Sequence, residues 1–458
     1  MRLRPDVIQL EDGHLLVGGS PLRAVRLQGV MATLLRNQDL RVEGADSARL
    51  ARRLIDANLA DPVIMGSIAP DEITVIIPVH QRLTQLERAL TALSGANVIV
   101  VDDASPEPTA LRSVVRRHDA TLIVLPQNRG PAAARNAGLA HVNTRYVAFV
   151  DSDVEVTAEQ LFCLGAHMAD PLVALVGPQV RGTTRSPNPS WVEQYDADAS
   201  SLTLGTRACS VQPGAAVAWL PSACLVGRTE VLQHPEIAGF HSDLRVAEDV
   251  DLVWRLVQHG YRVRYEPAIH ALHDARTTLG DWLERKYYYG TGSALLGARY
   301  GDYIAPAVLS PVMAVAAAAV LAQGRLAIPA VPMAITWAAR TIRPALGTSP
   351  GATRTAAHLA VRGLGWSLRQ EAALLLRHWW PAAAVGCVFS RTARRMVLSG
   401  LVVDLMGWIL DGQPGGINFP RWFARRLDDM AYGAGVWVGA CRQHSSQALR
   451  VRVLRKKR

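Results

Sequence analysis

The sequence predicts an α/β fold: a parallel sheet flanked by helices, with a small α+β module before it and a helical region after it. Three observations predict it. From residue 73 to residue 150, apolar β-branched runs alternate with amphipathic helical stretches. Each apolar run ends on polar or acidic residues, the place where ligands gather beyond the carboxyl ends of strands in open sheets. The charge is also divided: residues 281–458 carry 23 Lys+Arg against 8 Asp+Glu, and residues 1–280 carry 26 against 31. A chain of 458 residues holds two to four domains at roughly 100–200 residues each.

The elements follow in order. Residues 6–18 read as two short strands around the turn Glu11-Asp12-Gly13. Helical spacing marks Arg23–Leu35 and Ala45–Leu59, where Leu54 and Ile55 answer Leu50. Together these read as a small winged-helix-like module over residues 1–65 or as an N-terminal decoration of the next domain. Met1 to Asp12 carries charges and no apolar run, so no signal peptide is expected there. Pro62 to Pro70 reads as a linker, and the second domain spans 71–290. It opens with the strand Ile73–Pro78, the amphipathic helix Leu83–Leu93 and the strand Asn97–Val101, which ends in Asp102-Asp103. A strand at Thr121–Leu125, a helix at Pro131–His141 and a strand at Tyr146–Val150 follow, the last ending in Asp151-Ser152-Asp153. Further on, Glu248 and Asp249 open a helix, and Tyr261–Tyr265 forms another strand.

Residues 291–458 are basic, apolar and helical. Ile304–Ala322 contains no charge, Leu326–Ala339 contains none, and Met396–Leu410 contains only Asp404. A bilayer core needs about 20 apolar residues per helix, so only the first run is long enough, and Pro306 and Pro311 interrupt it. Buried core helices and membrane-embedded or interfacial helices are both open. The arginines between the runs, and the terminal Arg455-Lys456-Lys457-Arg458, favour contact with an anionic membrane surface. The five cysteines form no CxxC pair, which argues against a structural zinc site or a disulfide scaffold and for a reducing compartment. No nucleic-acid-binding motif accompanies the basic excess.

The strand ends carry the chemistry. An Asp-x-Asp at a strand end sets two carboxylates beside a loop, where a hard divalent cation can bridge them to a diphosphate. Four motifs arrive in order: T-V-I-I-P-V-H-Q, V-V-D-D-A-S, N-R-G-P-A-A-A-R-N and V-D-S-D. In that order and spacing, residues 73–290 resemble the inverting nucleotide-sugar glycosyltransferases with the GT-A fold. The resemblance implies that Pro78, His80 and Asp103 hold the nucleotide base, with His80 stacking on uracil and Gln81 standing where that family usually has Asn. It implies that Gly130 and Arg135 approach the diphosphate and that Asp151 touches the ribose or the sugar. Asp153 and His273 would hold a divalent metal, Mg2+ or Mn2+, while His270 is structural. Glu248-Asp249 matches the acceptor-activating acidic pair, with Asp249 as general base. Trp219 lies in a stretch that lines the acceptor or donor sugar, and Lys286 and Tyr289 stand where processive members carry a basic-aromatic clamp.

The whole layout is narrower than that. His14 to Leu35 is similar to PqqD-like peptide-recognition modules, and the complete chain resembles the family of mycofactocin-system glycosyltransferases. This resemblance implies a UDP-sugar donor and transfer of a hexose, with glucose the expected sugar, as β-linked units. The acceptor would be a peptide-derived redox cofactor or its precursor peptide. It also implies a membrane surface as partner, at the cytoplasmic face of the cell membrane. The rival expectation is a membrane glycosyltransferase acting on polyprenyl phosphate or a polysaccharide.

Overall fold

The computed structural model describes residues 1–29, 31–32, 35, 39–348, 350–411 and 419–454. The chain forms two compact units. The first gathers Met1–Val7, Gly18–Arg23 and Gln28–Thr278; the second gathers Ile8–Val17, Ala24–Leu27 and Leu279–Arg458.

The chain begins with β1 (Arg2–Leu3), then β2 (Ile8–Leu10), β3 (Leu15–Gly18) and β4 (Arg23–Arg26), followed by helix α1 (Ala45–Asp56) and β5 (Ala60–Asp61). Arg23–Arg26 is thus the third strand of the hairpin sheet rather than the start of a helix. The alternation Arg-Ala-Val-Arg, with only Val25 buried, suits a one-sided strand better than a helical stripe. Part of the expected helix to Leu35 lies outside the described residues, as do the last four basic residues. In the first unit, β1 pairs with β5, and Asn58 exchanges two hydrogen bonds with the Ser210 backbone (2.7 and 3.1 Å). The Arg262 guanidinium adds a bidentate grip on Asp56 (2.6 and 2.7 Å).

The core of this unit is a nine-stranded sheet. Its strands and helices are β6 (Ile73–Val79), α2 (Leu83–Ala92), β7 (Asn97–Asp102), α3 (Pro108–Arg117), β8 (Thr121–Val124), α4 (Pro131–Leu139), β9 (Tyr146–Val150) and β10 (Val154–Glu155). Then come α5 (Ala158–Gly165), β11 (Val173–Thr183), α6 (Trp191–Asp198), β12 (Cys209–Val211), β13 (Cys224–Arg228), α7 (Thr229–Gln233), α8 (Glu248–Gln258) and β14 (Arg262–Asp274). The strand order is β10-β14-β11-β13-β9-β6-β7-β8, with β12 also on β14. Strands β9, β6, β7 and β8 are parallel, as their apolar runs predict. All seven residues of β6 are buried because helices cover both faces, and each buried Ile or Val contributes about 1.5–3 kcal/mol. The sheet is not wholly parallel: β13 runs antiparallel to both β9 and β11. β14 extends through Asp274, well past Tyr265, so His270 and His273 lie on the strand rather than after it.

The second unit is helical. Helices α9 (Leu279–Tyr300), α10 (Pro311–Leu321), α11 (Ala327–Ile342), α12 (Ala352–Ala373), α13 (Trp380–Phe389), α14 (Arg391–Leu410) and α15 (Phe419–Arg442) carry it, with β15 (Val308–Leu309) paired to β16 (Arg452–Val453). The uncharged run from Ile304 is therefore broken by a strand and becomes an eleven-residue helix. Helices α9 and α15 touch backbone to backbone. A Cβ on Gly290 would fall 2.1 Å from the Tyr432 carbonyl oxygen, and one on Gly435 would fall 2.0 Å from that of Tyr287, so only glycine fits at either point. Alanines do the same work between α10, α11 and α12, where Ala316, Ala317, Ala334, Ala338 and Ala360 are buried with Met313 and Leu364. The hairpin strands belong here as well: Leu15 and Val17 of β3 pack with Leu346, Ala352, Ala356 and Leu359.

Candidate active site

The site lies where β6, β7 and β9 end and α4 and α8 begin, all in the first unit. The backbone there is held in an uncommon conformation. Gln81, Arg82, Ala104 and Ala247 all have φ between 58° and 66°, a left-handed region that costs non-glycine residues of order 1 kcal/mol each. Such strain persists where the surroundings over-determine the loop, and here hydrogen bonds do so.

Pro78 is buried within β6, and His80, just past its end, is exposed. The His80 ring donates from Nδ1 to the Asp103 carbonyl (2.9 Å), because a carbonyl can only accept. The Ser105 hydroxyl accepts from the Gln81 N–H (2.9 Å), and Asp102 accepts from the Ser105 N–H (2.8 Å). Asp103 is buried, and its two carboxylate oxygens accept from the backbone N–H groups of Arg129 and Gly130 (2.8 and 2.7 Å). Asp103 therefore fastens the loop of the N-R-G-P motif to the end of β7. Gly130 caps α4 at φ +88°, a conformation open to glycine, with Pro131 set at the first helical position.

Arg135, expected at the diphosphate, is placed differently. It is 2% exposed, and its Nη2 donates to Asp151 (2.6 Å) while Nη1 donates to Glu248 (3.0 Å). The Phe240 ring lies under it at 5.2 Å, and Phe240 stacks edge-on against Phe149. Burial opposes its charge, but the two carboxylates win and raise its proton affinity. The physical reason is charge: the two carboxylates take both terminal nitrogens of the buried guanidinium, and only its buried Nε is left without a partner. Arg135 thus bridges the end of β9 to the start of α8. The next residue, Asn136, clamps the same loop, donating to the Phe240 carbonyl (2.6 Å) and accepting from the Phe240 N–H (2.9 Å). The positioning roles of Asn136 and Phe240 have no signal in spacing, because their partners lie about a hundred residues apart.

Glu248 and Asp249 are the first two residues of α8, where the helix dipole favours acids. Glu248 is buried, and its Oε1 also accepts from the Ser222 hydroxyl (3.2 Å). Asp249 is half-buried and accepts from the Val250 N–H (2.8 Å). Desolvation, with the Glu248 charge beside it, pushes the Asp249 carboxyl up to about 7, against the pull of Arg135 and of the backbone N–H groups. Asp251 behind them is fully buried and paired to Arg255 (2.8 Å), which anchors α8 through the Gly239 carbonyl (2.7 Å). Trp219 stands half-buried in the loop that leads to Ser222.

Asp153 is buried, with His273 Nε2 at 3.6 Å and Arg82 paired to its Oδ2. Burial opposes ionisation, yet His273, Arg82 and Arg276 together hold the carboxyl below the usual range. Next to this pair, Arg88 and Arg185 alternate with Glu155 and Asp274 in a closed ring (Arg88–Glu155 2.9 Å, Arg185–Asp274 2.7 Å). The ring ties β10 to β14 and so fixes His273 against Asp153. Sequence spacing did not point to it. Among the described residues no group of three or more His, Cys, Asp or Glu is set to hold a metal ion. Lys286 and Tyr289 lie on α9 in the second unit; Lys286 is buried and paired to Asp428 (2.9 Å), and the Arg285 guanidinium lies over the Tyr289 ring.

The family described as Glycosyl transferase family 2 matches residues 74–231. The pre-mycofactocin glycosyltransferase of Mycobacterium tuberculosis is 39% identical over 97% of this chain and 95% of its own. The poly-beta-1,6-N-acetyl-D-glucosamine synthase of Staphylococcus aureus is 24% identical over 43% of this chain and 48% of its own. Among solved structures, the Pyrobaculum calidifontis mannosyltransferase in complex with GDP-Man and Mn2+ aligns over 81% of this chain and 88% of its own, at 18% identity and a TM-score of 0.44. The chain is a GT-A glycosyltransferase and belongs to the pre-mycofactocin glycosyltransferase family.

Proposed function

We propose that the chain moves a hexose, namely glucose, from a UDP-sugar onto the peptide-derived redox cofactor mycofactocin, with inversion at the anomeric carbon, and extends it as a β-linked oligosaccharide. The near full-length likeness to a pre-mycofactocin glycosyltransferase supports the acceptor class. One observation carries the chemistry: a carboxyl raised to about 7, Asp249, stands at the start of α8, coupled through Glu248 and Arg135 to Asp151 at the end of β9. A base near neutral pH suits the removal of a hydroxyl proton, an effect of about 10²–10⁴-fold.

In this reading the acceptor hydroxyl oxygen attacks the anomeric carbon as the bond to the diphosphate breaks. Asp249 takes the hydroxyl proton, and UDP leaves with the bonding pair. His80, Pro78 and Asp103 shape the nucleotide end, and Asp151 faces the ribose or sugar. Arg135 acts as a positioning residue. Trp219 is proposed at the sugar, and the hairpin sheet at the peptide.

Asp153 after β9 and His273 on β14 are the pair proposed to take a divalent ion. Asp153 and His273 offer an oxygen and a nitrogen 3.6 Å apart, and the Arg82 guanidinium already places a positive charge on that carboxylate. Asp153 and His273 would hold Mg2+ or Mn2+, which supplies neutralisation of charge on the departing diphosphate. The enzyme is proposed to work at the cytoplasmic face of the membrane.

The test offers purified protein UDP-glucose with either the peptide-derived acceptor or polyprenyl phosphate. The reading expects transfer to the peptide-derived acceptor, and transfer to the lipid alone would overturn it.

A further inference from the structure

Helix α13 breaks the rule that an all-round apolar helix is buried. Its ten residues, W-P-A-A-A-V-G-C-V-F, contain no charge, and none of them is buried. Val385 is 61% exposed, Val388 70% and Phe389 84%. A ten-residue helix is about 15 Å long, half of a hydrocarbon core of about 30 Å, so α13 is too short to cross one. Among the described residues no single helix is long and apolar enough to cross a membrane, and α13 leaves the helix before it through a 90° bend. The geometry is an elbow.

The residues after the elbow carry the opposite character. Arg391, Arg394 and Arg395 open α14 at spacings of three and four, so they share one face, and all three are exposed. That face continues as Leu398, Val402 and Met406, which are 59%, 60% and 51% exposed. Of the carboxylates in this part of the unit, Asp404 is spent on Arg426, Asp411 on Arg369, Asp428 on Lys286 and Asp429 on Arg377, while Glu371 is buried away from the exposed face. The three arginines therefore form a net cationic collar behind an apolar tip. A second copy of the chain on this face would set arginine against arginine.

We propose that this elbow is a membrane-docking element. The exposed end of α13 enters the headgroup–acyl boundary of an anionic bilayer, and Arg391, Arg394 and Arg395 meet lipid phosphates. The proposal rests on the membrane-surface part of the reading above and assigns it to particular residues.

The test is flotation of the full-length protein with unilamellar vesicles of phosphatidylcholine, with and without phosphatidylglycerol. Wild-type protein floats with the anionic vesicles and is released by salt. The triple Arg391→Gln, Arg394→Gln, Arg395→Gln lowers the anionic-vesicle partition coefficient about a hundredfold, at about fivefold per arginine. Phe389→Asp lowers it at least about tenfold. Both variants keep the wild-type circular dichroism and transfer to a soluble acceptor, since neither touches the site. Vesicle binding unchanged in both variants overturns the elbow while leaving membrane location standing. Wild-type protein that never floats overturns both, with the transfer assay unaffected. A wild-type dimer that Phe389→Asp makes monomeric in sedimentation equilibrium also overturns the proposal, because the face would then serve protein contact.

Discussion

Two acidic pairs a short way apart in one unit treat their carboxyls in opposite ways. At the end of β9, buried Asp153 is ringed by His273, Arg82 and Arg276 and held below the usual carboxylate range. At the start of α8, desolvation and the Glu248 charge beside it lift Asp249 to about 7, against the weaker pull of Arg135. Residue type is the same, and desolvation opposes ionisation in both. The sign of the neighbouring charge decides the outcome, and it sorts the two into a permanent anion and a proton acceptor. Arg135 keeps the two ends apart in function while joining them in space, since it spends its charge on Asp151 and Glu248.

Each prediction attacks one side of that contrast. The largest effect is expected from Asp249→Asn, which removes the base and lowers kcat for transfer by about 10²–10⁴-fold with donor affinity kept. The same change has a second consequence for stability. A carboxyl whose folded value is raised to about 7 stabilises the fold below the unfolded value near 4, and that contribution is lost as pH rises through about 7. The Asn variant should therefore unfold at a higher temperature than wild type at pH 8 and show no such gain at pH 4.

Next comes the bridge. Arg135→Met leaves Asp151 and Glu248 without their shared cation inside the protein, and breaking one partner of a buried pair costs about 3–5 kcal/mol. Denaturant unfolding measures it, and a loss below about 1 kcal/mol would mean that the bridge does not organise the site. Asp153→Ala should lower kcat by about 10²–10³-fold, the scale of losing one electrostatic stabiliser of the leaving group. Its rate should also lose most of its response to added Mn2+ or Mg2+.

How much of this was legible in the sequence follows from the range of the contacts. The strands β6, β7 and β9 were legible because a strand covered on both faces must be apolar throughout, and their acidic ends stand out against that run. The start of α8 was legible from Glu248 and Asp249 beside a helical pattern. The role of Arg135 was not, because its partners Asp151 and Glu248 lie 16 and 113 positions away. The hairpin strands read as part of an N-terminal module, yet Leu15 and Val17 pack with Leu346 and Leu359, which no local pattern encodes. Lys286 matched a clamp by position, and a pairing with Asp428 across two helices appears only in three dimensions.

The central claim is that Asp249 is the base of glycosyl transfer and that the Glu248 charge sets its proton affinity. The pH dependence of kcat/KM, compared between wild type and Glu248→Gln, tests it most directly. The account predicts a wild-type rate that rises with pH through about 7. Removing the Glu248 charge should move that rising limb to lower pH by about 1 unit or more. A limb that stays in place in Glu248→Gln, or a wild-type rate flat from pH 5 to 9, would contradict it.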